Sequence, residues 1–215
     1  MRADQVVLTD CTIGVVNKAA KKPFRLFLAD TDLRLSNFSN QFAQGPAQVK
    51  LKASFMGSGP TTATATFRPE KAGPDFDLYL KIEESRLTSM NDVLRTYGNF
   101  DVSAGVFSLV TELHVKNDKI SGYIKPFIKD VKVYDKRKDK DQGIMHKMYE
   151  KMVGGAATLL ENRTRQEVAT KVIVSGPASN PETSTWQIVG ALIKNAFFKA
   201  ILPTFDKATP GTGKR

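Results

Sequence analysis

The chain has 215 residues, of which 41% are hydrophobic and 25% are charged. This composition excludes a wholly disordered protein, because disordered chains lack the apolar side chains that a core requires. The formal net charge of +10 favours an anionic partner such as a lipid headgroup, a nucleic acid or an acidic protein, although a protein can also be basic without binding a polyanion. One cysteine excludes an internal disulfide, and together with two histidines it offers almost no material for a metal site.

The first two thirds of the chain alternate between apolar and polar residues. Such alternation is typical of strands with one apolar face and one solvated face. The segments that show it are residues 6–16, 24–37, 49–55, 61–67, 76–83 and 107–115. Short links rich in glycine and proline join several of these segments, so we predict an antiparallel meander in which neighbours in sequence are neighbours in the sheet.

The predicted strands continue beyond residue 115. Asn117 and Asp118 are a candidate two-residue turn between residues 110–116 and 119–125. Pro126 lies within the next predicted strand, residues 119–134. Because proline cannot donate a ladder hydrogen bond, we expect it to break or bulge that strand.

Three segments have helical rather than alternating spacing. Residues 87–97 fit a short helix that Thr88 or Ser89 could cap. Residues 142–162 and 186–202 fit two longer amphipathic helices, with one more strand at 164–175 between them.

The predicted fold class is therefore mainly β, with one short helix and two C-terminal amphipathic helices. We predict one domain over residues 1–205, in which a meander sheet (1–135) is followed by a helix–strand–helix cap (142–205). A frayed polar tail follows at 206–215.

Groups suited to catalysis are dispersed along the chain. Asp30 and Asp32 share a strand face, but a solvated stripe explains them more simply than a paired site does. No serine, cysteine or histidine lies in a recognised nucleophile motif. We predict that the protein is not an enzyme and that it has no catalytic residues, no metal site and no cofactor.

A sheet with one apolar face must cover that face with helices, with another sheet or with an apolar ligand. The candidates for contact with acyl chains are Leu51, Phe55, Phe76, Leu78, Leu80, Phe107, Leu109 and Leu113. The candidates for contact with anionic headgroups are Lys50, Lys52, Lys81 and Lys125. The alternative is a structural or protein-interaction domain whose sheet is fully covered by the two C-terminal helices, with the same apolar residues as its core.

Several sequence motifs occur in an order that is itself informative. They are LRLSNFS at 33–39, ASFMG at 53–57, LRTYGNFDVSAG at 94–105, ISGYIKP at 120–126, ATKVIVSGPASNP at 169–181, TW at 185–186 and NAFFKA at 195–200. In this order the chain resembles the AsmA-like family of Gram-negative envelope proteins, in the branch catalogued as a domain of unknown function.

The resemblance implies a long twisted sheet, curled into a groove with an apolar interior. Such proteins reach across the periplasm from an inner-membrane helix, and they are linked to phospholipid movement toward the outer membrane and to envelope integrity. The resemblance implies no catalytic residues. No secretory signal or membrane anchor is visible here, so the chain would be a C-terminal module of a longer, anchored protein.

The partners that follow are a phospholipid or membrane surface, with envelope proteins as further candidates. Nucleic acid is less favoured, because no nucleic-acid-binding motif is present and the basic residues are spread along the chain. The sequence pattern favours no particular oligomeric state.

Overall fold

The computed structural model describes residues 2–18, 20, 23–39, 45–68, 75–97, 100–134, 167–169, 171–178 and 185–201. The strands are β1 (Arg2–Asn17), β2 (Phe24–Ser39), β3 (Ala47–Phe55), β4 (Gly59–Phe67), β5 (Phe76–Arg86), β6 (Asp101–Lys116), β7 (Lys119–Tyr134), β8 (Glu167–Ala169) and β9 (Val172–Pro177). The helices are a 3-10 helix at Leu87–Met90, α1 (Asn91–Tyr97) and α2 (Thr185–Ile201).

The described strands form one antiparallel sheet. Strands β1 to β8 lie side by side in sequence order, and β9 also pairs with β7. The predicted mainly-β fold and its meander are confirmed. Among the described residues the sheet is open, with β1 at one edge and the β8 and β9 segments at the other.

The turn between β6 and β7 lies where the sequence predicts it. Asn117 and Asp118 both have positive φ angles, 49° and 61°, as a two-residue hairpin turn of type I′ requires. The backbone N–H of Ala178 donates to the carbonyl oxygen of Asp118 over 2.8 Å, so the end of β9 is held against this turn.

Pro126 does not break or bulge β7, contrary to the expectation. It pairs with Leu109 of β6, and the register of the two strands does not shift there. On the other side of β7, the described pairing with β8 runs up to Phe127 opposite Ala169, and that with β9 starts at Ile124 opposite Val172. Pro126 is therefore accommodated within a continuous strand.

The short helix predicted at residues 87–97 is present as the 3-10 helix followed by α1. The predicted cap is wrong, because Arg86 precedes the helix and makes no side-chain cap hydrogen bond. The Asn91 side chain instead binds the backbone of Val102, accepting from its N–H (2.9 Å) and donating to its carbonyl oxygen (3.0 Å). These two bonds tie the start of α1 to β6.

Helix α2 occupies the segment in which the sequence predicts a helix at 186–202. The other predicted C-terminal helix, 142–162, and the tail, 206–215, lie outside the described residues. In the part of the chain that the structure describes, no helix is long and apolar enough to cross a membrane.

Four strand pairs contain an irregularity at an acidic residue. Asp10, Asp30, Glu84 and Asp130 have φ angles of 49°, 47°, 44° and 55°, and the strand register shifts beside each of them. Aspartate tolerates this left-handed conformation better than most residues do. Such bulges bend the strand and increase its twist, so these positions give the sheet curvature.

Candidate apolar binding face

The register shows which side chains lie on the same face, because residues directly opposite each other on paired strands point the same way. One row across the sheet consists of Leu8, Leu33, Leu51, Ala63, Leu80, Thr111, Ile124 and Val172. The next row consists of Val6, Leu35, Val49, Ala65, Leu78, Leu113, Gly122 and Val174. We call the face that carries both rows the apolar face.

Part of the apolar face is a closed core, and we call strands β5 to β7 the covered half. Seven large apolar residues of β6 and β7 on this face are buried: Phe107, Leu109, Leu113, Val115, Ile120, Ile124 and Ile128. Helix α2 lies on this side, since the Phe197 ring meets the Phe107 ring edge-on with centroids 4.9 Å apart. The 3-10 helix and α1 add Leu87, Val93 and Leu94 to the same core.

A chain of aromatic rings extends from this core toward the other half of the sheet. Phe197 contacts Phe198 with centroids 5.2 Å apart, and Phe198 contacts Tyr97 of α1 at 5.6 Å. Tyr97 in turn contacts Phe24 of β2 at 5.6 Å. The two helices therefore connect β6 with β2, although β3, β4 and β5 separate these strands in the sheet.

We call the remaining strands, β1 to β4, the open half, because in the part of the chain that the structure describes none of their large apolar side chains on the apolar face is fully buried. A contiguous group in the two rows lies outside the core and is not packed against it; we call it the apolar patch. It consists of Val6, Leu8, Leu33, Leu35, Val49, Leu51, Ala63 and Ala65.

All eight predicted acyl-chain contacts lie on the apolar face, but the structure divides them. Four are buried in the core, which leaves no exposed surface for a ligand: Phe76, Phe107, Leu109 and Leu113. Three are half-buried and packed against the core: Phe55, Leu78 and Leu80. Only Leu51 belongs to the apolar patch. The sequence pattern identified the face but not which part of it is covered.

The four predicted headgroup lysines lie on the opposite, polar face. Lys50 is opposite Arg34, and Lys52 is opposite Asp32. Lys81 binds Glu83 (2.7 Å), and Lys125 lies over the Phe127 ring at 4.7 Å. A headgroup attached to a chain on the apolar patch would not meet them, because the sheet lies in between.

Sequence reasoning did not name seven of the eight patch residues. Their alternation was visible in residues 6–16, 24–37, 49–55 and 61–67. The alternation could not show that the described helices cover β6 and β7 and leave the apolar patch outside the core, because this depends on contacts between distant parts of the chain.

The polar face carries a cluster around His114. Its Nδ1 lies 2.7 Å from an oxygen of Asp77, and its Nε2 lies 3.3 Å from an oxygen of Glu112. The hydrogen bond to Asp77 raises the pKa of His114, and the negative charges of both carboxylates act in the same direction. Partial burial lowers this pKa by a smaller amount.

A shallow cavity of about 130 Å³ adjoins this cluster, with Thr64, Thr66 and Tyr79 among its lining residues. Sites for small organic ligands are usually ~300 Å³ or larger, so this cavity is small for a substrate. No group of three or more histidine, cysteine or acidic side chains among the described residues is arranged to hold a metal ion. Asp30 and Asp32 are separated by the bulge, and Asp32 accepts from the backbone N–H of Asp10 over 3.2 Å.

No protein-family model matches this chain, and no curated protein or solved structure does so either. The resemblance to the AsmA-like family therefore stays a prediction.

Proposed function

We propose that this protein is a non-catalytic lipid-binding domain that holds phospholipid acyl chains on the apolar patch. Its proposed place is the periplasm, where it would serve lipid transport or envelope integrity. The observation that carries the proposal is the apolar patch itself, two complete rows of aliphatic side chains on strands β1 to β4 that the core leaves open.

An apolar patch of this kind is costly in water. Covering apolar surface stabilises a protein by about 25 cal/mol per Å², and large contiguous patches commonly mark sites of interaction. The patch contains only aliphatic side chains and has no polar group that would select a polar ligand. A flexible hydrocarbon chain is the kind of ligand that such a surface fits without specific hydrogen bonds.

The contacts of the helices support a curved apolar face, shaped as a trough, rather than a flat one. Strands β2 and β6 both contact α1, directly or through the 3-10 helix, although four strand spacings of about 4.8 Å each separate them in the sheet. One short helix can reach both only if the sheet curls around it, with the apolar face on the inside. The finer prediction of a curled groove is part of this proposal.

The lysines of the polar face have a separate role in the proposal. Lys50 lies directly opposite Arg34, and like charges in this position destabilise a sheet unless an anion lies nearby. We assign Lys50, Lys52, Lys81 and Lys125 to contact with the headgroups of an anionic membrane surface, rather than with the lipid held in the patch. Lys194 of α2, which lies over the Tyr97 ring at 4.9 Å, is a cation on the apolar side.

Native mass spectrometry of the protein purified from a Gram-negative host tests the proposal. We expect bound phospholipid on the unaltered chain and a loss of most of it in the double variant Ala63→Phe/Ala65→Phe, which fills the patch with protein side chains. The matched control is Thr64→Phe, which adds the same ring to the polar face of the same strand. Absence of lipid from the unaltered protein, or equal loss in the control, would contradict the proposal.

The second candidate function is a structural or protein-interaction domain whose apolar face is only a core. The covered half favours it, because α1 and α2 already bury that part of the face. The two functions differ in the experiment above: a purely structural domain carries no lipid, and filling its patch changes only its stability.

A further inference from the structure

Exposed apolar side chains are concentrated on one strand. Among the described residues, eight large hydrophobic side chains are exposed, and six of them belong to β1. They are Val6, Val7, Leu8, Ile13, Val15 and Val16. Val15 is 71% exposed and Val16 is 54% exposed, and they lie on opposite faces of the strand. Val16 lies on the polar face, so lipid bound to the apolar patch would leave Val16 uncovered.

Strand β1 is also an edge strand. Within the described part of the chain it pairs with β2 only, so from Arg2 to Val16 the backbone N–H and carbonyl groups of its other side face no described strand. Proteins usually protect such an edge with lysine, proline or a bulge. Residues 2–17 contain no lysine and no proline, and the register shifts lie only on the two sides of Cys11, while the charged residues Arg2, Asp4 and Asp10 lie outside the apolar segments 6–8 and 13–16.

The residues of β1 form a pattern that is complementary to itself. Apolar blocks at residues 6–8 and 13–16 flank a polar centre at residues 9–12. In an antiparallel pair of two such strands, each apolar block lies against the other block of the second strand. The register shift at Asp10 preserves the faces, so that Val6 and Val15, which both lie on the apolar face, can oppose each other.

We propose that two copies of this chain pair antiparallel through β1, about a two-fold axis perpendicular to the sheet. Val6 then lies opposite Val15 of the partner subunit, and Leu8 lies opposite Ile13 of the partner subunit, and each contact occurs twice. The two sheets become one, and the two apolar patches adjoin across the axis. A second copy fits this edge because only a self-complementary strand makes every contact twice in a closed, symmetric pair.

The oligomeric state of the full chain tests the pairing. Sedimentation velocity over a concentration series should give a mass twice that of the 23.7 kDa chain. Val6→Lys alone or Val15→Glu alone should weaken the dimer at least about tenfold, since each change disrupts two symmetric contacts. The double variant Val6→Lys/Val15→Glu should recover dimerisation, because the proposed register places the introduced opposite charges against each other.

Two controls separate this pairing from other contacts. Ile173→Lys alters a side chain that is 68% exposed on β9, at the other edge of the sheet, and should leave the dimer unchanged. Val6→Lys/Val15→Lys should stay monomeric, because the new charges repel. Circular dichroism of each variant confirms folding, which exposed positions should tolerate.

Cys11, the only cysteine, provides an independent test of the register. It lies near the centre of β1, and the proposed pairing brings the two copies of it within one residue step of each other. A mild oxidant should therefore join two chains by a disulfide, and Val6→Lys should slow this reaction. A chain that stays monomeric at all concentrations overturns the proposal. So does a dimer that the charged variants do not weaken and that Cys11 does not crosslink.

Discussion

Leu113 and Leu33 occupy the same face of the same sheet, but they differ in surroundings. Leu113, on β6, is fully buried, whereas Leu33, on β2, is only half-buried and has no contact with the core. Both strands alternate apolar and polar residues, so the alternation does not explain the difference. The cause is α1 and α2, which cover one half of the apolar face. An alternating strand therefore specifies a face, while the cover over that face is specified elsewhere in the chain.

Truncating one leucine in the covered half and one in the open half tests this comparison most directly. We expect Leu113→Ala to lower the free energy of unfolding by about 3 kcal/mol, because it leaves a cavity in a closed core. Leu33→Ala should cost about 1 kcal/mol, since its side chain already contacts solvent. Urea denaturation measures both. Equal losses would mean that the open half is covered in solution.

Aromatic pairs provide a second, smaller comparison. Phe197→Leu removes edge-on contacts with Phe107 and Phe198 in the covered half and should cost about 1 kcal/mol. The matched change in the open half is Phe38→Leu, which removes a tilted contact with the Phe67 ring at a centroid distance of 6.0 Å. There we expect a loss of about 0.5 kcal/mol or less. Thermal unfolding of both variants measures the two losses of stability. A larger loss for Phe38→Leu than for Phe197→Leu would contradict the expectation.

The polar face should give the smallest effect, through His114. The pKa of this histidine is raised in the folded protein, so its protonated form adds stability below the unfolded pKa of ~6.5. That stability is lost as the pH rises through the folded pKa. The side chain is 47% exposed, so we expect on the order of a few tenths of a kcal/mol.

Denaturation at pH 5 and at pH 9 measures this difference, and Asp77→Asn should reduce it because the main partner of His114 loses its charge. If the dependence were unchanged in this variant, another group would be responsible.

Much of the fold could be predicted because it follows from local patterns. Strands predicted at 49–55 and 61–67 appear as β3 and β4 with small changes at their ends, and the turn at Asn117 needs only two residues that tolerate positive φ. Pro126 was misjudged because the effect of a proline depends on which side of the strand its missing donor faces, and the pairing with β6, not the local sequence, decides that.

The candidate site was predicted only in part, for the same reason. Leu51 was correctly placed on the apolar face, and so was Leu113, but only the first belongs to the apolar patch. The lysines were predicted to contact the headgroups of lipid on the apolar face, yet a period of two places Lys50 and Lys52 on the opposite side of the sheet.

The sequence by itself determined the strands, their order and the face on which each apolar side chain lies. These depend on the two-residue period of an extended backbone and on short turns. Only the tertiary structure decided which half of that face became a core and which half stayed open, and which strand became an exposed edge. Helix α2 and the aromatic rings of Tyr97 and Phe24 meet across long stretches of chain, and no local pattern encodes such contacts.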